Sequence, residues 1–193
     1  LWISTNGGLS KFNIPTKSFT NFDEFDGLQG NEFNYNSFTK TSNGELLFGG
    51  INGLNYFNPV DIVENNFIPS VDIYALKVSN KPFLKITDSV SEITLKHNQN
   101  DFSFDFTALS YSQPNKNNFA YKLEGFDPDW NYIRDNKTAN YTNLDQGNYT
   151  FKVKASNNNG LWNEKGDSIN VKILPAPWRT WWAYLIYLGI VLT

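Results

Sequence analysis

The sequence predicts an all-β protein in three successive parts: a partial β-propeller (its last blade or so), an immunoglobulin-like β-sandwich, and the start of a transmembrane helix. Three observations carry this. Two similar segments recur 45 positions apart near the N-terminus, strand-like segments with apolar residues at alternate positions fill the middle, and the last residues form an uncharged run behind a cluster of aromatics. The parts are expected over residues 1–66, 67–176 and 177–193, the last a truncated helix.

The first part rests on the repeat. "LWISTNGGLSKFN" (Leu1–Asn13) and "LLFGGINGLNYFN" (Leu46–Asn58) align so that Gly8 falls on Gly53, Leu9 on Leu54, Phe12 on Phe57 and Asn13 on Asn58. Each copy reads as strand, Gly-containing turn, strand. The Asn-Gly pairs at Asn6-Gly7, Asn43-Gly44 and Asn52-Gly53 supply residues that accept the positive φ of tight hairpin turns. A repeat of about 40–50 residues built from short strands is the period of a propeller blade. Two copies are also compatible with an ordinary antiparallel meander.

The second part rests on alternation. In "DFSFDFTAL", Phe102, Phe104 and Phe106 point one way and Asp101, Ser103 and Asp105 the other; in "NYTFKVKAS", Tyr149, Phe151, Val153 and Ala155 oppose Thr150, Lys152 and Lys154. Ile169, Val171 and Ile173 make a third stripe. Period-2 patterns of this kind mark antiparallel strands with one buried and one wet face. Seven or eight such segments are expected between Val71 and Leu174. "LDQGNY" (Leu144–Tyr149) resembles a tyrosine corner, in which a tyrosine hydroxyl bonds back to upstream backbone at a crossover between sheets. Trp130 and Tyr121 are then expected in the core.

The third part starts at Pro175 and Pro177, which end the last strand. Trp178, Arg179, Trp181, Trp182 and Tyr184 follow, and then an uncharged run from Leu185. Trp and Tyr collect at membrane interfaces, so these five residues are the expected interface set. A spanning helix needs about 20 apolar residues, more than the chain supplies here. A buried C-terminal segment or an interfacial anchor is the alternative.

Composition bounds the chemistry. With 40% apolar and 17% aromatic residues, there is material for a core filled mainly by Phe and Tyr. The net charge is −3 without basic runs, which argues against a nucleic-acid surface. No Cys is present, which excludes disulfides, thiolate metal sites and cysteine nucleophiles. The chain also lacks Met and opens on no leader, so it reads as a fragment of a longer protein. His97 is the single histidine and is expected at an exposed turn. Asp127 and Asp129 in "GFDPDW" lack the further ligands of a calcium loop and read as a turn. Three glycosylation sequons, at Asn136, Asn140 and Asn148, receive no role. No catalytic, metal or cofactor site is expected, and the sequence identifies no ligand-contacting residue.

Taken in order, these segments resemble the sensor region of a two-component histidine kinase of the propeller type, hybrid members included. "ELLFGGINGLNYFNP" is similar to the last blade of a two-component regulator propeller. "FAYKLEGFDPDW", "ANYTNLDQGNYTFKVKASNNNGLWNE" and "PWRTWWAYLIY" resemble the Y_Y_Y domain and the membrane segment behind it. Tyr121, Tyr141 and Tyr149 match the tyrosines that give that domain its name. The resemblance implies a periplasmic location for residues 1–177 at the inner membrane, a homodimer through the sandwich, and an oligosaccharide ligand held mainly by propeller blades outside this chain. It implies a non-catalytic role, passing a signal to the membrane helix, with His97 distinct from the kinase phosphoacceptor. A membrane-tethered glycan-binding module without a kinase is the alternative, and an enzyme with its active site in upstream blades is a further rival.

Overall fold

The computed structural model describes residues 1–63, 65–87, 89–110, 113–134 and 136–191. The chain divides into two compact units, Leu1–Asn65 and Asn66–Thr193.

The first unit holds two three-stranded antiparallel sheets. One is β1 (Trp2–Thr5), β2 (Gly8–Asn13) and β3 (Ser18–Phe22); the other is β4 (Phe33–Lys40), β5 (Leu46–Gly50) and β6 (Gly53–Phe57). The two copies of the repeat fold alike: Thr5 pairs with Gly8 across the first hairpin, and Gly50 pairs with Gly53 across the second. The left-handed residue of the first hairpin is Gly8 (φ 109°) rather than either member of Asn6-Gly7, and its counterpart 45 positions on is Gly53 (φ 144°). The reason lies in the packing, since a Cβ on Gly8 would sit 2.0 Å from the Phe22 carbonyl oxygen. Leu9 and Phe48 are buried, and Trp2 joins the two sheets, with ring centroids 5.3 Å from Phe22 and 4.9 Å from Phe57.

Nine strands make up the second unit among the described residues. They are β7 (Ser70–Val78), β8 (Lys81–Lys85), β9 (Glu92–Leu95), β10 (Phe102–Leu109), β11 (Asn118–Glu124), β12 (Asn131–Ile133), β13 (Thr138–Tyr141), β14 (Gly147–Ser156) and β15 (Asp167–Ile173). One sheet runs β13-β10-β7-β8 and the other β12-β11-β14-β15-β9. Every pairing is antiparallel except β15 with β9. The inward stripes of both sheets meet in one core: Val71, Ile73 and Leu76 of β7 and Phe102, Phe104 and Phe106 of β10 face Phe119 and Leu123 of β11, Phe151 and Val153 of β14, and Ile169, Val171 and Ile173 of β15. Phe104 stacks on Phe151 across the layers, with centroids 4.5 Å apart and planes 14° off parallel.

Two readings of the sequence are corrected. Ser103 and Asp105 are buried rather than wet, each about as enclosed as the core. Asp105 is covered because Lys77 of β7 pairs with it at 2.6 Å and the Thr138 hydroxyl of β13 donates to it at 2.8 Å, from the strands on either side. Trp130 lies outside the core cluster. Its ring is covered by the Lys154 ammonium, 4.8 Å from the centroid, and Lys154 belongs to the outward set of β14.

Beyond β15 the chain makes a 3₁₀ turn at Pro177–Arg179 and then one α-helix, α1 (Trp181–Val191). Among the described residues no helix is long and apolar enough to cross a membrane.

Because the Phe104 ring is wholly enclosed and stacked on the opposite sheet, Phe104→Ala should cost about 3–5 kcal/mol. Phe83→Ala, on the exposed edge strand β8, should cost about 0.5 kcal/mol or less. The shift in urea midpoint of the transition belonging to the second unit reads both.

Candidate functional site

Among the described residues no group of three or more His, Asp or Glu side chains is placed to hold a metal ion. Asp127 is engaged structurally. Its carboxylate accepts from the Tyr141 hydroxyl at 2.8 Å and from the Leu123 amide at 2.7 Å, while Asp129 stays exposed. The "GFDPDW" turn thus ties the β11–β12 hairpin of one sheet to β13 of the other.

The three motif tyrosines gather around this turn and the next. Tyr121 on β11 meets Tyr141 edge-on at 6.3 Å, and both lie against Phe151. Burial, then the hydrogen bond to the anionic Asp127, holds the Tyr141 hydroxyl far above the usual tyrosine range. Tyr121 is raised by burial and by the Asp127 charge. Tyr149, at the start of β14, donates its hydroxyl to the Asp145 carbonyl at 3.0 Å, the back-bond a tyrosine corner requires. Gly125 faces the Tyr149 ring with φ 93°, and a Cβ there would stand 3.1 Å from Cδ1, so the corner is packed tight against the preceding hairpin.

The chain is fastened at both places where it joins the packed sheets. At the N-terminal end, the Asn157 side-chain amide donates to the Phe67 carbonyl and that of Asn163 to the Pro69 carbonyl, both at 2.8 Å. Asn157 is fully buried, and its side-chain oxygen also accepts from the Asn159 and Leu161 amides. The incoming segment is therefore clamped to the loop after β14 by two side-chain amides. At the other end, the Leu174 amide donates to the Leu95 carbonyl at 2.9 Å, extending the β15–β9 pairing past the last strand residue. His97, half-buried in the turn after β9, meets Trp178 edge-to-face at 5.2 Å.

The expected interface residues lie together at this second end. Trp178 and Arg179 are in the 3₁₀ turn, and Trp181, Trp182 and Tyr184 occupy the first turns of α1. Thr180 starts the helix: its hydroxyl donates to the Pro177 carbonyl, and its carbonyl accepts from the Ala183 and Tyr184 amides. Within the helix Ala183 alone is buried, and Trp181, Leu185, Ile186, Leu188, Ile190 and Val191 are each more than half exposed. A cavity of about 280 Å³ opens beside the turn, lined in part by His97, Trp178 and Arg179. Sequence reasoning missed the Asn157 and Asn163 clamps and the His97–Trp178 contact. Asn-Asn-Asn-Gly at Asn157–Gly160 marks a turn, but nothing local names the carbonyls that its side chains reach.

Residues 110–174 match the Y_Y_Y domain family. Over that segment the chain is similar to the Y_Y_Y domain, and along most of its length it is similar to the extracellular domains of two-component systems. It is 37% identical over 196 residues to histidine kinase P4 of Formosa agariphila, a match that covers 97% of the chain and 14% of that protein. Among solved structures it is similar to the extracellular domain of the hybrid two component system BT3049 from B. thetaiotaomicron, with a TM-score of 0.78 and 33% identity over 90% of the chain and 24% of that structure. A second, the extracellular domain of the hybrid two component system BT4673 from the same organism, has a TM-score of 0.53 and 25% identity over 92% of the chain and 24% of that structure.

Removing the Tyr141 hydroxyl should loosen the fold without abolishing it, because Asp127 keeps the Leu123 amide. Tyr141→Phe is expected to cost about 1–3 kcal/mol at neutral pH. The sign of the pH dependence follows from the raised pKa. Below about pH 10 the hydroxyl is protonated in both states, and above it only the unfolded chain releases the proton, so stability falls as pH rises. Denaturation midpoints between about pH 8 and pH 11 should therefore decline less steeply in Tyr141→Phe than in the parent.

Proposed function

We propose that this chain is the membrane-proximal, extracytoplasmic part of a two-component histidine kinase. It is non-catalytic and passes a ligand-induced displacement to a membrane helix. The carrying observation is the way a packed sandwich fastens both chain ends. Asn157 and Asn163 hold the incoming segment at one end, and the outgoing segment is bound to β9 and leads through a short Pro-bearing turn into α1. A Gly/Ser-rich linker at either place would absorb displacement as coil fluctuation.

The same reading assigns the finer architecture. The two three-stranded sheets are the last blades of a propeller, given their 45-residue repeat and matching hairpins. The second unit is an immunoglobulin-like sandwich, a view supported by its two antiparallel layers and the Tyr149 back-bond. The helix α1 is the beginning of a membrane span, because a helix that is apolar all round and exposed suits lipid or a protein interior rather than water. Trp178, Trp181, Trp182 and Tyr184 then sit at the interface, and the similarity to extracellular domains supports a periplasmic location for residues 1–177 at the inner membrane. The ligand is an oligosaccharide held mainly by other blades, and the sandwiches of two copies pair as a homodimer. The name of the relative from Formosa agariphila favours a kinase over a tethered binder.

In the full-length protein, autophosphorylation should respond to at least one member of a panel of neutral and acidic oligosaccharides. Asn157→Ala with Asn163→Ala should keep basal phosphorylation and lose the response, with Asn163→Ala alone intermediate and circular dichroism confirming the β fold. A response left intact in the double variant would remove the coupler reading. A full-length protein without kinase activity would favour the tethered glycan-binding module.

A further inference from the structure

The cavity beside the 3₁₀ turn has a composition that the signal-passing role does not require. About 280 Å³ in volume, it is lined by His97, Asn100, Asn143, Asp145, Trp178 and Arg179 among others. That is below the ~300 Å³ at which pockets for drug-sized ligands begin, and it suits a small charged group. Among the described residues the Arg179 guanidinium has no acid partner. The Asp145 carbonyl is engaged by Tyr149, whereas its carboxylate has no ion pair among the described residues. The formal charges of Arg179 and Asp145 cancel, so the lining has no net preference for a simple anion or a simple cation. The complementary ligand carries both charges. Guanidinium matches phosphate oxygens through paired N–H donors. A carboxylate, with an aromatic ring such as Trp178 nearby, matches a primary ammonium.

Position selects among such zwitterions. One wall of the cavity is the turn that leads directly into α1. If α1 enters the bilayer, the cavity stands at the level of the lipid headgroups. We propose that it binds the headgroup of a zwitterionic phospholipid bearing a primary ammonium, with Arg179 on the phosphate and Asp145 on the ammonium. This rests on the membrane reading given above. Occupancy would seat the outgoing turn of the sandwich on the membrane surface and fix the angle at which displacement reaches α1.

His97 is the single histidine and lines the cavity, so its ring Cε1–H signal in proton NMR is an unambiguous reporter. The chain in neutral detergent micelles is titrated with short-chain phosphatidylethanolamine, phosphatidylcholine and phosphatidylglycerol, and with soluble glycerophosphoethanolamine. The expected result is a saturable shift with phosphatidylethanolamine, at concentrations at least about tenfold lower than for phosphatidylglycerol. Arg179→Gln and Asp145→Asn should each weaken it about tenfold. Equal response to phosphatidylethanolamine and phosphatidylglycerol, no response to any lipid, or unchanged affinity in Arg179→Gln would overturn the site. Soluble glycerophosphoethanolamine binding as tightly as the lipid would overturn the lipid as its source. Flotation of the chain with phosphatidylcholine vesicles tests the membrane reading separately, since Arg179→Gln should float like the parent.

Discussion

The stacked pair Phe104–Phe151 is the contact on which the second unit depends. Each ring belongs to a different sheet, and neither sheet has another way to remove its apolar face from water. The pair fixes which residues of β10 and β14 point inward. A slip of one residue in either strand would turn its Phe stripe outward and the Asp or Lys stripe inward. Around it the remaining inward residues pack as one cluster, and burying each large apolar side chain stabilises the fold by roughly 1.5–3 kcal/mol. The tyrosine contacts add direction to this non-specific force. Tyr141 bonded to Asp127 and Tyr149 bonded to Asp145 place two turns at fixed positions over the layers.

A sandwich held in this way is stiff, and stiffness gives its end contacts their meaning. The strand registers put Ser70, Leu109, Asn118 and Ser156 at one end and Val78, Phe102, Gly147 and Ile173 at the other. The incoming chain is clamped at the first end and the outgoing chain leaves from the second, separated by about the 30 Å of a ten-residue strand. A close-packed interior has low compressibility and passes strain on. On the proposed coupler reading, a movement applied to Phe67–Pro69 would be delivered at Leu174 and the turn beyond it.

Much of this was legible in the sequence, because it is local. The stripes of β14 and β15 alternate with period 2 and lie in the structure as the pattern reads, and the tyrosine opening "NYTFKVKAS" makes the back-bond its turn suggests. Legibility ended where neighbours decide. Ser103 and Asp105 read as wet, yet both are enclosed, and Asp105 is covered because Lys77 and Thr138 reach it from flanking strands. Trp130 reads as core by hydrophobicity, yet the register of β14 puts its partner Lys154 on the outer face. The left-handed residue of the first hairpin is Gly8 and not the Asn-Gly pair, because the close approach of the Phe22 carbonyl leaves room for glycine alone. The clamp between Asn157 and Phe67 spans 90 positions, and no pattern within a strand encodes it.

The central claim is that the sandwich is a rigid strut fastened at both ends. The chain contains no Cys, so spin labels can be placed uniquely at Ile68→Cys and Leu174→Cys, both partly exposed positions. Electron–electron resonance between them should give one narrow distance distribution, and Asn157→Ala with Asn163→Ala should broaden it. A broad distribution in the parent, or one that the double variant leaves unchanged, would contradict the account.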